Sequence, residues 1–226
     1  MKILGIETSS HIFSLGMNED DKVLYEIRRN RQISENRDAE FFLEAQRLLE
    51  YYGLENIKVI AIDIGPGMFT SLRVGLSLAK GLASVQNIAI VAVNALDIIG
   101  IPASIARQPV LAAINAYHGE IYAAFYEQGK RLSDYLLTTP QEIKKLIKIK
   151  TLVIGSGIEA FKTSESVDDS YLSFVNGNFF LPTASRVIDL ALPRIYNSDF
   201  DTLDTLEPYY IKKTDAERKY DQSNAL

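Results

Sequence analysis

Cysteine is absent from the 226-residue chain. That excludes disulfides and thiolate metal sites and fits a reducing compartment. Histidine is nearly absent: only His11 and His118 occur, far apart and with no His-x-x-x-His pair. A zinc site takes three or four His, Cys or carboxylate ligands, so no metal site is assigned. No nucleophile-elbow motif is present, which leaves Ser-His-Asp catalysis without its usual signature, and no catalytic residue is named. A surplus of positive charge is missing too. Lys and Arg number 24 against 29 Asp and Glu, a net charge of −5. Proteins that grip phosphate backbones unaided carry a clear basic excess, so strong direct nucleic-acid binding is not expected. Nor is there a long apolar run. The most apolar stretch, 88–106, is broken by Asn94, Asp97 and Pro102, too interrupted for a membrane span. Glu7 comes too early for the apolar region of a signal peptide. The expected localisation is cytoplasmic, with no membrane contact.

What is present is the balance of a globular protein. Apolar residues make up 47% and charged residues 23%, which supports a buried core and argues against a disordered or fibrous chain. The length suits one large domain or two small lobes. Residues 2–8 read as a short apolar strand ending in Glu7-Thr8-Ser9-Ser10, and 12–17 and 23–27 continue as hairpin-linked strands. A helix is predicted over 38–52, with Asp38 as N-cap and Gly53 as its stop. Residues 59–64 form a nearly continuous apolar run, the pattern of a strand buried on both faces. Gly65-Pro66-Gly67 ends it. A helix over 71–85, a strand over 88–93 and a short helix capped by Asn94 follow. Strands, helix, strand, helix, strand is the order of an α/β lobe with a mixed sheet.

Strand signals restart at 110–115 and 121–126. Thr139-Pro140-Gln141-Glu142 is a capping box with Pro at the first helical position. Residues 152–154 make a short strand, and Pro182-Thr183 opens a last helix through about 192. The two halves share a grammar. Two related lobes are expected, 1–102 and 103–226, the last helix being free to pack back on the first lobe.

Two polar stretches could carry chemistry. Gly65-Pro66-Gly67-Met68-Phe69-Thr70-Ser71 lies between a buried strand and a helix, where open α/β sheets bind ligands and where free N–H groups can hold an anion. It lacks the Gly-Lys-Ser/Thr ending of a P-loop, and it reads equally well as a tight turn. Glu7-Thr8-Ser9-Ser10 could cradle phosphate and magnesium, or be an ordinary polar turn. Glu7, Thr8, Ser9, Gly65, Gly67 and Thr70 are the candidate nucleotide or anion loop.

The helices carry more apolar surface than one sheet requires. In 71–85 the polar line is Arg73, Ser77, Lys80 and Ser84, and nearly everything else is apolar. In 38–52 the polar line is Glu40, Glu44 and Arg47. A helix covering one side of a sheet needs about a third of its circumference apolar. The surplus points to a second buried contact, with another lobe or with a partner. The candidate interface is Phe42, Ala45, Leu49, Leu72, Gly75, Leu76, Ala79 and Ala83. Gly75, Ala79 and Ala83 form a line of small residues where a partner helix could approach closely.

These residues resemble the TsaB (YeaZ) family. Its opening motif corresponds to Gly5-Ile6-Glu7-Thr8-Ser9-Ser10. Its hallmark corresponds to Gly65-Pro66-Gly67-Met68-Phe69-Thr70-Ser71-Leu72-Arg73-Val74-Gly75 with Ala79-Lys80-Gly81-Leu82-Ala83. A third block corresponds to Asn115-Ala116-Tyr117-His118-Gly119-Glu120-Ile121-Tyr122, and weaker matches lie at 154–157, 182–184 and 206–211. Met68 and Ser71 stand where the family has Ser and Gly, Glu7 where Asp is usual, and Asn115 and Tyr117 where it has Asp and Arg. Asn36-Arg37-Asp38 replaces the usual His-Ser-Glu lead into the first helix.

The resemblance implies a two-lobed actin-like ATPase fold, each lobe ribonuclease-H-like, with mixed sheets flanked by helices. It implies a non-catalytic dimerisation subunit of the bacterial complex that transfers a threonylcarbamoyl group to the adenosine adjacent to the anticodon in tRNA. The implied partners are a TsaD-type catalytic subunit, paired through the first-lobe helices, and a TsaE-type ATPase. In isolation the chain could form a homodimer. No cofactor is expected to bind tightly, with ATP or ADP at the complex interface as the exception. The alternative reading is an ATP-dependent small-molecule kinase of the same fold.

Overall fold

A computed structural model describes residues 1–30, 37–105, 108–163, 170–175 and 180–211. Asn36, part of the lead into the first helix, lies outside them. Eleven strands and six α-helices are arranged around two sheets among these residues.

The first sheet has the order β3-β2-β1-β4-β5. Strands β1 (Lys2–Glu7), β2 (Ile12–Glu19) and β3 (Lys22–Asn30) form an antiparallel meander. Strands β4 (Ile57–Asp63) and β5 (Ala89–Val93) run parallel to β1. Parallel neighbours need crossovers, supplied by helices α1 (Arg37–Tyr52) and α2 (Phe69–Gln86).

Side chains alternate across a strand. Leu4, Ile6, Ile60 and Ile62 therefore face α1 and α2, while Ile3, Val59, Ala61 and Val91 face the other way. Under α1, Phe13 meets Phe41 edge to face, with centroids 5.3 Å apart. Helix α1 stops where the sequence predicts, at Gly53, whose φ is 75° and whose N–H donates to the Leu49 carbonyl. Only a residue at ease with positive φ ends a helix this way without strain.

The opposite face is covered by the last helix, α6 (Ala184–Tyr196), through Val187, Ile188, Ala191 and Ile195. It packs very close: a Cβ at Gly5 would collide with the Ala184 carbonyl and Ile188. Its first turn is tied to the first lobe. The Ala184 N–H donates to Ser14 Oγ at 3.0 Å, and the Ser185 N–H to Glu26 Oε1 at 2.8 Å. A carboxylate at a helix N-terminus is favourably placed against the helix dipole.

The second sheet has the order β11-β10-β6-β7-β8, with β9 also paired to β7. Strands β6 (Val110–Tyr117) and β7 (Glu120–Glu127) form a hairpin. Strands β10 (Thr151–Ile154) and β11 (Leu172–Phe174) continue from β6 in parallel. The short β8 (Lys130–Arg131) and β9 (Leu136–Thr138) complete the other edge. One face carries α4 (Pro140–Leu146), opened by the expected Thr139–Glu142 capping box, and α5 (Ile158–Thr163). The other face carries α3 (Ala95–Ala103). Asn94 caps α3, as predicted, by accepting from the Leu96 N–H. The helix runs on through Pro102 to Ala103, so it joins the lobes rather than ending the first. Asp97 on α3 accepts from the hydroxyls of Tyr126 at 2.7 Å and Tyr135 at 2.6 Å. Among the described residues no helix is long and apolar enough to cross a membrane.

Burial corrects the expected interface. Leu72, Leu76, Ala79 and Ala83 are at most 6% exposed and Gly75 is buried, all on the side of α2 that meets its own sheet. The small residues let α2 settle onto β1: a Cβ on Gly75 would collide with Thr8 Oγ1. Ala45 is buried as well and Leu49 half-buried. Of the eight residues assigned to a partner, only Phe42 is substantially exposed, at 45%. The other exposed large apolar residues of α1 and α2 are Leu43, Tyr51 and Val85.

Candidate functional site

The lobes face each other across a cleft of about 370 Å³. The first lobe contributes the loop after β1 (Ser9, Ser10, His11) and the loop before α2 (Gly67, Met68). The second contributes the end of β6 (Asn115, Tyr117), the turn after β10 (Ser156) and the start of α5 (Glu159). This is the carboxyl end of β1, β4, β6 and β10, where open α/β sheets place their ligand crevice.

Strands β1 and β4 are in register as parallel neighbours, with Ile6 opposite Ile62. Their next residues, Glu7 and Asp63, therefore end adjacent strands beneath the cleft, both fully buried. Glu7 Oε1 accepts from the Ser9 N–H at 2.8 Å and from the Ser9 hydroxyl at 2.7 Å. Asp63 Oδ1 accepts from the Gly65 N–H at 2.7 Å. Asp63 Oδ2 and Thr8 Oγ1 have no hydrogen-bond partner among the described residues. Burial pushes the Asp63 carboxyl up to about 7, against the lowering effect of the Ser9 hydroxyl and the Gly65 N–H. Desolvation disfavours the charged form of an acid and sets the direction.

The loop before α2 passes through a cis Gly65–Pro66 peptide. The Met68 N–H donates to the Ser9 carbonyl at 2.8 Å, and a Cβ on Gly67 would collide with that same carbonyl. The two loops are thus bound to each other. This corrects the anion-loop assignment. The N–H groups of Ser9, Gly65 and Met68 and the Ser9 hydroxyl are donors a phosphate would use, and each already serves an acceptor of this chain. The carboxyl groups of Glu7 and Asp63 lie beneath them and take three of these four donors. The structure brings five of the six candidates together, Ser9 and Gly67 lining the cleft and Glu7, Thr8 and Gly65 buried under it, while Thr70 is exposed on α2 outside it. The four committed donors are not free to hold a nucleotide phosphate.

The sequence blocks at 115–122 and 154–157 mark Asn115, Tyr117 and Ser156 without assigning them to a site, and Asp63 and Glu159 are passed over. The signal for Asp63 was available, as a lone charge inside the apolar run 59–64. No local signal marks Glu159, which reaches the cleft through the packing of β10 beside β6. His11 lines the cleft and His118 is exposed in the β6–β7 turn. Among the described residues no three His, Asp or Glu side chains are grouped to hold a metal ion.

The family model of TsaD, tRNA N6-adenosine threonylcarbamoyltransferase, matches residues 42–216. The chain belongs to that family, on its TsaB (YeaZ) side. The TsaB side rests on similarity to the tRNA threonylcarbamoyladenosine biosynthesis protein TsaB of Escherichia coli (strain K12). That protein is 25% identical over 97% of this chain and 98% of its own length. A tRNA N6-adenosine threonylcarbamoyltransferase of Pyrobaculum islandicum is 31% identical, but over only 42% of this chain and 32% of its own length. Among solved structures, YeaZ from Pseudomonas aeruginosa superposes with a TM-score of 0.76, covering 93% of this chain and 99% of that one at 21% identity. The fold is that of YeaZ, a two-lobed actin-like ATPase architecture with mixed sheets flanked by helices.

Proposed function

We propose that this TsaB-family chain is a non-catalytic subunit in the biosynthesis of threonylcarbamoyladenosine in tRNA, pairing with a TsaD-type catalytic subunit in the cytoplasm. The observation that carries the reading is likeness to the Escherichia coli TsaB protein along nearly the whole of both chains, alongside the TsaD family match. The physical chemistry of the site supports the non-catalytic role. The Ser9 hydroxyl and the N–H groups of Ser9, Gly65 and Met68 serve acceptors of the same chain, which ties up donors that a reacting group would use. Pairing would use the surface that the fold leaves apolar and uncovered on the first-lobe helices: Phe42 and Leu43 on α1, and Val85 on α2 with the half-buried Val74 and Leu78. In isolation the same surface would self-pair into a homodimer, since contiguous apolar patches rarely stay solvated. A TsaE-type ATPase would join the assembly. ATP or ADP would be held at the contact between subunits, because four donors of this chain's own loops already serve acceptors of the same chain.

Purification of the tagged full-length chain from its native cell tests the assembly. TsaD-type and TsaE-type proteins should come with it, and recovery of neither, with the tag exposed, would count against the reading. The isolated chain should neither modify tRNA nor turn over ATP. ATP turnover abolished by Glu7→Ala would instead favour the small-molecule kinase.

A further inference from the structure

The two lobes are joined by more than the chain crossings at α3 and before α6. Beyond α6, residues 199–211 run back across the first lobe, from β5 to the start of α2. The Asp201 N–H donates to the Ile90 carbonyl at 2.9 Å, and its carboxylate accepts from the Ala92 N–H at 2.7 Å, which closes the outer edge of β5. Arg194 of α6 fixes that carboxylate from behind at 3.0 Å. Leu206 is buried in the first-lobe core. The Tyr209 N–H then donates to the Ile64 carbonyl at 2.8 Å. Tyr210 stacks on Phe69 at the start of α2, with centroids 4.3 Å apart and planes 20° from parallel. Arg73 completes the contact. Its guanidinium lies 4.1 Å over the Phe69 ring, and its Nε donates to the Tyr210 hydroxyl at 3.0 Å.

The same segment touches the second lobe. The Tyr209 ring meets Tyr135 edge to face at 5.4 Å, and Ile211 packs on the second-lobe core around Tyr126 and Ile99. Inside these contacts α3 meets the first lobe directly, Ile98 lying in the same core as Val187 and Ile188 of α6. Beside that contact a groove of about 370 Å³ runs between α3, α6 and the segment, with Asn94, Asp97, Tyr135 and Tyr209 in its walls. The segment bridges this groove.

We propose that residues 199–211 are a brace across the hinge side of the molecule, holding the angle between the lobes and with it the width of the cleft, with Tyr210 as the latch. A two-lobed chain hinged at its crossings can rock about them, and closure around a cleft is the usual motion of such folds. The brace adds a further tie beside the contact of α3 with α6. Its latch lies at the surface, Tyr210 being 39% exposed, so it can be opened without dismantling either core. The brace is independent of which partner the chain serves.

The absence of native cysteine makes the test direct. Spin labels at Ser84→Cys on α2 and Lys145→Cys on α4, both exposed positions, report the distance between lobes by pulsed electron resonance in the full-length chain. With Tyr210 intact the distribution should be narrow. Tyr210→Ala should broaden it and speed hydrogen exchange at the Tyr209 amide about tenfold, the order expected for losing a stacked ring and its hydrogen bond. Tyr210→Phe keeps the ring contact and should stay close to the parent. Should Tyr210→Ala fail to fold, Arg73→Ala, at an exposed position, carries the same expectation. A distribution in the folded variant that superimposes on the parent's, with unchanged exchange, overturns the brace.

Discussion

Replacing Asp63 by asparagine should stabilise the protein at neutral and higher pH. The acid is fully buried at the end of β4, and burial raises its pKa from 3.8 to about 7. Between those values the unfolded chain has released the proton and the folded chain still holds it. The folded state then binds more protons, so stability falls as pH rises through this window and levels off above it. A tenfold change in proton affinity is worth about 1.4 kcal/mol, so a rise of this size places the full loss at roughly 4 kcal/mol. Asparagine keeps the oxygen that accepts from the Gly65 N–H and removes the charge. The assay is urea unfolding of both proteins at about pH 5 and about pH 8, between which the ionisation contributes roughly 3 kcal/mol. The parent should lose stability between the two conditions and Asp63→Asn should lose markedly less. Curves that fall in parallel would refute the reasoning, because the pH dependence would then arise elsewhere.

Three further outcomes follow from burial and hydrogen bonding. Ala79→Arg puts a charge into the core between α2 and its sheet, where Ala79 is wholly buried, and should lower stability by about 3–5 kcal/mol. Phe42→Arg, on the exposed side of α1, should leave the melting temperature nearly unchanged and reduce recovery of the partner; the opposite pattern in a paired melting and pull-down experiment would move the interface to α2's inner face. Tyr126→Phe removes one of two hydroxyls that donate to Asp97 from a fully buried ring and should cost about 1–3 kcal/mol in denaturant unfolding.

The order of elements was legible because the chain states it in local terms. The run 59–64 could only be a doubly covered strand, Gly53 ends α1 by its positive φ, and Thr139-Pro140-Gln141-Glu142 opens α4 by its own side chains. What stayed hidden depended on partners distant in sequence. The small β8, β9 and β11 have too few residues for a period to show, and β11 is defined by its pairing with β10. The segment 199–211 looked irregular because it has no periodicity. Its structure comes from hydrogen bonds to β5 and to the Ile64 carbonyl, and from a ring stacked on Phe69, more than a hundred positions earlier in the chain.

The candidate site shows the same division, with one difference of principle. Composition correctly drew attention to the wide apolar circumference of α2, but periodicity gives only the size of an apolar face and not which neighbour it meets. The line Gly75, Ala79, Ala83 invites close approach, and the approach is made by β1 of the same chain, through Thr8. Likewise, Glu7-Thr8-Ser9 and Gly65-Pro66-Gly67 are residue types that cradle anions elsewhere, and the strand register does bring them together. The register also puts Glu7 beside Asp63 at the strand ends, and those carboxylates take the N–H and O–H groups of Ser9 and the N–H of Gly65. Whether a polar loop serves a ligand or itself is decided by which acceptor reaches its donors first. Here the acceptors come from the ends of the adjacent strands, and the Ser9 carbonyl takes the N–H of Met68. A cleft whose first-lobe donors are already committed in this way can keep the shape of a ligand site while serving as the rigid floor between two lobes.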